Sequence, residues 1–417
     1  MTSRARRRAA PQQSEPSGAD QIPVWTGVSV RSPRAFRDGV AHLLSDLNDE
    51  QHAAVTYGEG PLLVVAGAGT GKTQVITRRV AWLIAEQHAL PEEILALTFT
   101  DRAAEEMQAR VDRLVPYGYA TTPIKTFHAW GDELLRENAH RLGIAGELRV
   151  LGRAEVVLLL REHLFELGLS RFAPLGDPTR FLGDVAGYIS RAKEEAVTPD
   201  QVDAFAAALR SKAAAVESDD NATEKERSTN AEYAAALRRL GEEQAELAAV
   251  YRSYRSILAK RGLLDFGDQV LLSHELLQSD PLVAARVRER HRWLLVDEYQ
   301  DTNRLQGALV DLITQGNGNL TAVGDDDQSI YRFRGAAIGN ILGFVDRYPS
   351  AGKVVLTKNY RSTTPILNAA RRLIRFNDPD RLETRLGISK ELSAETDRGD
   401  AAPVGFRRFR TTADEAD

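Results

Sequence analysis

Apolar positions follow two rhythms along this chain, and the change between them divides it. Short uninterrupted apolar runs occur at Pro61-Leu62-Leu63-Val64-Val65, Ile94-Leu95-Ala96-Leu97-Thr98-Phe99, Trp293-Leu294-Leu295-Val296, Leu320-Thr321-Ala322-Val323 and Lys353-Val354-Val355-Leu356-Thr357. Each is too brief for a helix and predicts a buried strand. Between them apolar residues recur at helical spacing. Val75, Ile76, Val80, Leu83 and Ile84 predict a helix starting near Gly71, and Thr100 with Asp101 can cap a helix over Arg102–Val111. After Thr363 and Thr364, Pro365 suits a first helical position, and Ile366, Leu367, Ala370, Leu373 and Ile374 form an apolar face. Strands alternating with helices predict an α/β fold, with a parallel sheet covered by helices on both faces.

From about residue 130 to 262 the rhythm is helical throughout, rich in Ala, Leu, Glu and Arg and without a clear strand. This helical block is expected to interrupt one α/β domain. Ser211–Asn230 inside it is polar and predicts a loop or mobile linker. Residues 1 to about 40 mix Arg, Pro, Ser, Gly and Gln and read as a disordered tail, with order starting near Leu43. Leu47-Asn48-Asp49-Glu50-Gln51 reads as a capped helix start, with Asn48 as N-cap and Gln51 at the third helical position. Val404–Phe409 is a strand-like stretch.

Composition narrows the class only slightly. The 417 residues suffice for two or three domains, and 43% hydrophobic with 27% charged residues is ordinary for a globular protein. The absence of cysteine excludes disulfides, thiolate zinc sites and iron–sulfur clusters, and it fits a reducing cytoplasm. No apolar run approaches the roughly 20 residues that span a bilayer. A net charge of −5 offers no global attraction to nucleic acid, so contact with it would need local basic or aromatic surfaces.

The chemistry centres on Ala66-Gly67-Ala68-Gly69-Thr70-Gly71-Lys72-Thr73, between a strand and a helix. Backbone N–H groups of such a turn, with the helix dipole behind them, cradle a polyphosphate. Lys72 reaches its terminal phosphates and Thr73 ligates Mg²⁺; an ordinary glycine-rich turn is the bland alternative, and Ala66 stands where the strict pattern has glycine. At the end of a later strand come Asp297 and Glu298, within Val296-Asp297-Glu298-Tyr299-Gln300-Asp301. Carboxylates there face the crevice where open α/β sheets bind ligands. Asp297 is expected to hold Mg²⁺ and Glu298 to deprotonate an attacking water, which favours hydrolysis. Gln328, in Asp325-Asp326-Asp327-Gln328, can sense a γ-phosphate by hydrogen bond. Phe333 between Arg332 and Arg334 suits base stacking beside a phosphate backbone, although alone it would read as core. Arg361 is a candidate arginine finger and Tyr360 can stack on adenine; a strand-closing Arg and a packed Tyr are the plain alternatives.

In order and content these stretches, with Thr98–Arg110, Thr126-Phe127-His128, Asp265-Phe266-Gly267-Asp268 and Asn359–Thr363, resemble the UvrD/Rep/PcrA-type superfamily-1 DNA helicases over residues 47 to about 377. That family commonly carries Ala at the first phosphate-loop position. The resemblance implies a RecA-like phosphate-loop fold with an inserted helical subdomain, using ATP and Mg²⁺. Its layout would be a tail at 1–42, motor domain at 43–130 and 263–362, insertion at 131–262, and the start of a second motor domain at 363–417. It implies that Gln51 reads adenine beside Tyr360, that Ala66, Gly67, Ala68, Gly69, Thr70, Gly71, Lys72 and Thr73 bind the phosphates, and that Asp297 and Glu298 handle metal and water. Gln328 and Arg361 would meet the γ-phosphate, and Phe99, Phe127, His128, Phe333 and Arg334 would line a DNA track. Asp101, Lys125 and Gln74 depart from the usual residues there. The expected activity is 3′→5′ unwinding, with single-stranded DNA and duplex junctions as partners. The second motor domain would come from a missing C-terminal part or a protein partner. The alternative is a nucleotide-dependent DNA-binding or regulatory module that does not unwind; an unrelated phosphate-loop ATPase is weaker.

Overall fold

The computed structural model describes residues 42–115, 121–142, 148–218, 224–316, 318–331, 335–396 and 403–416. The expected tail at 1–40, and Phe333 and Arg334 with Arg332, lie outside the described residues.

Six strands form one parallel sheet: β1 Leu62–Ala66, β2 Ile94–Thr98, β3 Ile124–Thr126, β6 Trp293–Val296, β7 Leu320–Gly324 and β8 Gly352–Leu356. Their order across the sheet is β3-β2-β6-β7-β1-β8. All five pairings are parallel, with Leu62 opposite both Thr321 and Gly352, Ile94 opposite Trp293, Leu294 opposite Leu320, and Ala96 opposite Ile124. β1, β2, β6 and β7 are buried along their whole length, as a sheet covered on both faces requires. Alternation sends Leu62, Val64 and Ala66 into one core with the helices Lys72–Ala85 and Asp101–Leu114. Leu63 and Val65 enter the other, with Phe127–Glu137, Phe266–Ser279, Pro281–Arg290 and Arg304–Thr314.

One buried cation fixes the helix Asp49–Val55 to this sheet. The Arg79 guanidinium donates to the carbonyls of Ala54, Val55, Tyr57 and Gly58 and to Thr321 Oγ1, between the Tyr57 and Trp293 rings. Burial lowers its pKa to about 10, so it stays charged at neutral pH.

The segment between β3 and β6 is mainly helical, and its helices Arg153–Glu162, Leu182–Glu194 and Glu224–Arg261 share a separate core including Leu160, Val185, Ile189, Tyr251 and Tyr254. It contains two strands that periodicity did not reveal. β4 Arg149–Leu151 pairs in parallel with β5 Leu263–Asp265, so its two ends meet. Three residues are too few to show a period-2 pattern. The loop expected over Ser211–Asn230 is a correction: the helix Pro199–Glu217 runs through its first part and the helix Glu224–Arg261 begins within it. Ala213, Ala234 and Leu237 pack between those helices, which outweighs the polar composition. The strand-like stretch Val404–Phe409 is likewise no strand; its residues are exposed and unpaired with any sheet. Beyond β8, β9 Lys358–Asn359 pairs with β10 Ser393–Ala394, and the helix Thr364–Ile374 lies between them in the chain with no residue buried.

Candidate nucleotide and nucleic-acid site

Four of the stretches singled out for their chemistry leave the carboxyl ends of strands in the main sheet. Ala66–Thr73 follows β1, Asp297–Asp301 follows β6, Asp325–Gln328 follows β7, and Asn359–Arg361 follows β8 by way of β9. The strand order makes β6, β7, β1 and β8 neighbours, so these loops converge on one crevice.

The phosphate loop is shaped by two glycines with positive φ. Gly69 (φ +76°) lies under Arg361 and Asn359; a Cβ there would stand 2.6 Å from the Arg361 Cβ. Gly71 (φ +91°) caps the helix Lys72–Ala85, and a Cβ there would stand 2.6 Å from the Gln51 Nε2. Only glycine accepts both the backbone angle and the approach. Gln51 is 1% exposed and donates from Nε2 to the Thr70 carbonyl (2.9 Å) while completing the capping box with Asn48. Tyr360 lies against the same helix start, its hydroxyl accepting from Asn48 Nδ2 (2.9 Å) and its N–H donating to the Gly69 carbonyl.

Lys72 Nζ stands 2.7 Å from Glu298 Oε2 and donates to Gln328 Oε1 at 3.2 Å. Three loops from three strands thus meet at one ammonium group. Gln328 donates from Nε2 to Asp325 Oδ2 (2.7 Å), and Gln300 links Glu298 Oε2 (2.8 Å) to the Asp325 N–H (3.0 Å). Glu298 has φ +47°, a left-handed conformation rare for a residue with a side chain, which turns it out of the strand toward Lys72. Asp297 behind it is buried and accepts the Glu298 N–H (2.9 Å). Burial first, and then the Glu298 carboxylate, push the Asp297 pKa up to about 6. Asp301 is pushed up to about 6 by the same two causes, and its Oδ1 is buried without a hydrogen-bond partner.

The aromatic positions gather over the other half of the sheet, at the ends of β2 and β3. Phe99 is 37% exposed and stacks on Tyr331, with ring centroids 5.9 Å apart. His128 meets the exposed Phe266 edge-on at 6.3 Å, and its pKa is lowered by burial against an opposing influence of Asp101. Phe99, His128 and Phe266 border a cleft of about 470 Å³ that also touches Arg153, Asp301 and Asn303. Phe127 corrects the expectation for this surface. Only 2% exposed, it packs in the sheet core with Trp130 and Leu134, and its ring offers no stacking face. Alternation from β3 into the helix Phe127–Glu137 turns Phe127 inward and leaves His128 outward. Lys125 pairs with Glu133, and Thr126 Oγ1 donates to Asp101 at 3.2 Å.

Residues 47–349 match the profile of the UvrD/REP helicase N-terminal domain. The chain belongs to this family. It is similar to the ATP-dependent DNA helicases PcrA of Leuconostoc citreum (36% identical over 378 residues, 90% of this chain and 44% of that protein) and Bacillus subtilis (37% over 336 residues, 80% and 40%). PcrA of Staphylococcus epidermidis is 36% identical over 337 residues, 80% of this chain and 41% of that protein. The chain therefore spans about two fifths of the length of these relatives. Among the described residues, no helix of this UvrD/REP-family chain is long and apolar enough to cross a membrane.

Sequence reading missed several contributors to the crevice. Gln300, Asp301, Asp325 and Asn359, whose Nδ2 donates to the Ala68 carbonyl, entered the reading only as members of motifs. Phe266 was noted in Asp265-Phe266-Gly267-Asp268 but not as a surface ring. A large aromatic at the first position of a helix, where it has no preceding turn to pack on, was the available signal.

Proposed function

We propose that this chain binds ATP with Mg²⁺ at the carboxyl edge of its sheet and hydrolyses it, as the motor portion of a DNA helicase that moves 3′→5′ along single-stranded DNA. The observation that carries the reading is the meeting of Glu298 and Gln328 at Lys72, each within hydrogen-bond reach of its ammonium. Lys72 bonds Glu298, and a bound triphosphate would compete for the ammonium and free the carboxylate. Glu298 then has a basic oxygen to take a proton from water, and Gln300, which donates to the same Oε2 that Lys72 contacts, keeps the group in place. Gln328 and Arg361 would meet the γ-phosphate, and Gln51 and Tyr360 the base.

The residues fit a divalent cation. Asp297 is a buried carboxylate beside a second one, with Lys72 as its stabilising cation, and an added positive charge would relieve that repulsion. Thr73 and Asp297 would hold the ion, which supplies neutralising charge at the phosphates.

The exposed rings Phe99 and Phe266 with His128 support stacking of unpaired bases, which tolerates any sequence. In this reading residues 43–130 and 263–362 form one motor domain and 131–262 its insertion. The 3′→5′ polarity rests on resemblance alone; unwinding of substrates tailed at either end tests it.

Glu298→Gln tests the chemistry. We expect phosphate release in the presence of single-stranded DNA to fall by about a hundredfold or more, with nucleotide affinity kept within a few fold. Loss of nucleotide binding instead would make Glu298 a structural residue and remove the proposed base.

A further inference from the structure

Asp325, Asp326 and Asp327 place carboxylate oxygens within 4.8 Å of one another, an arrangement that invites a metal ion. Here the charge comes from the protein. Lys390, 65 residues further along the chain, brings Nζ to 2.5 Å from Asp325 Oδ1, 2.5 Å from Asp326 Oδ1 and 2.7 Å from Asp327 Oδ2, with 6% of its side chain exposed. Arg381 adds a bidentate pair to Asp327, both bonds at 2.7 Å, and the Leu382 N–H donates to Asp326 Oδ2 (2.8 Å). Burial alone would lower the Lys390 pKa, but the three carboxylates outweigh it and hold the ammonium above the ordinary lysine range.

The same carboxylate group that takes Lys390 on one oxygen takes Gln328 on the other. Asp325 Oδ1 accepts from Lys390 and Asp325 Oδ2 accepts from Gln328 Nε2. The Gln328 amide is thereby oriented: its nitrogen faces a carboxylate and its oxygen faces the Lys72 ammonium. The reverse orientation would set donor against donor at Lys72 and acceptor against acceptor at Asp325. A second contact ties the same segment to the phosphate loop, because Leu392 covers Gly67 so closely that a Cβ there would lie 3.0 Å from its methyl carbon. The segment 381–392 thus touches both the loop that cradles phosphate and the loop that senses it.

We propose that Lys390, acting through Asp325, is a positioning residue for Gln328, and that the Arg381–Leu392 segment holds the sensing loop in register with the phosphate loop. The inference rests on the nucleotide reading of the site given above. Lys390 is proposed to act through its neighbours and not on the nucleotide directly. It fixes the carboxylate that fixes the amide, and a shift of that amide by an ångström weakens its discrimination between a triphosphate and a diphosphate.

The test uses the full chain as wild type, Lys390→Met, Lys390→Arg, Gln328→Ala and the Lys390→Met/Gln328→Ala double variant. Affinities for a fluorescent ADP and for a non-hydrolysable ATP analogue, both with Mg²⁺, are measured beside kcat and KM for phosphate release. Lys390→Met is expected to reduce the preference for the triphosphate analogue to the level of Gln328→Ala and to lower kcat about ten- to a hundredfold, with ADP affinity and KM held within about threefold. Adding Lys390→Met to Gln328→Ala should change nothing more, and Lys390→Arg should recover part of the preference. An unchanged preference in Lys390→Met, an equal loss of ADP affinity, or additive effects in the double variant overturns the relay while leaving the nucleotide site standing. A wild-type chain that binds neither nucleotide, or binds both equally, overturns the sensing site and the relay together. Should Lys390→Met fail to fold, Lys390→Gln with Asp327→Asn, which removes one carboxylate along with the ammonium, is read by the same criteria.

Discussion

His291 is buried beside Trp130, its Nε2 accepting the indole N–H at 3.3 Å while Nδ1 has no hydrogen-bond partner. Burial, and then the neighbouring Arg290, lower its pKa to about 4, against about 6.5 in an unfolded chain. Between those values the unfolded state binds more protons than the folded one, so stability rises with pH through this window and is complete above it. Acidification from pH 6.5 to 4.5 is therefore expected to cost about 2 kcal/mol through this ring. His291→Gln keeps an acceptor for Trp130, and comparing the urea midpoints of both proteins at the two pH values should show the difference confined to wild type. Residue by residue, legibility followed chemistry. Lys72, Glu298 and Gln328 were readable because their motifs name them, and they do meet. Phe127 was misread because the same motif lists an inward and an outward residue side by side, and only the register of β3 into its helix tells them apart.

Elements are held to one another here by a few buried charges. Lys193, with none of its side chain exposed, joins the helix Leu182–Glu194 to Asp265 (2.6 Å) and Asp268 (2.7 Å), and the Tyr254 hydroxyl donates to Asp265 from the helix Glu224–Arg261. Three helices and β5 share this cluster. Lys193→Met would leave two buried carboxylates uncompensated, and we expect it to cost about 3–5 kcal/mol in urea unfolding. A loss under about 1 kcal/mol would show that water reaches the cluster. Five of the six strands of the main sheet could be placed from the sequence, four of them because they are buried along their whole length and read as unbroken apolar runs. β3, β4 and β5, three residues each, carry no period to detect. Val404–Phe409 has strand-favouring residues but no neighbour to pair with, and pairing decides.

At the scale of the molecule, strand order separates two surfaces. The proposed phosphate site lies over β6, β7, β1 and β8, whereas exposed rings lie over β2 and β3, and the loop Glu298–Asn303 runs between them. If those rings stack on bases, Phe99→Ala and Phe266→Ala should each weaken single-stranded DNA binding by about 1–3 kcal/mol, measured by fluorescence anisotropy at fixed salt, and leave nucleotide affinity without DNA unchanged. Unaltered DNA affinity in both would move the track elsewhere. The same strand order sets a timetable for synthesis. β1, entirely apolar, is flanked by β7 and β8, so about 250 residues must follow it before either neighbour exists. At about 5–20 residues per second that leaves Leu62–Ala66 unpaired for roughly 12–50 seconds on the ribosome, a bare sticky segment for the time it takes to finish the interruption. Until β7 emerges, this order of synthesis leaves the chain open to aggregation through its own first strand.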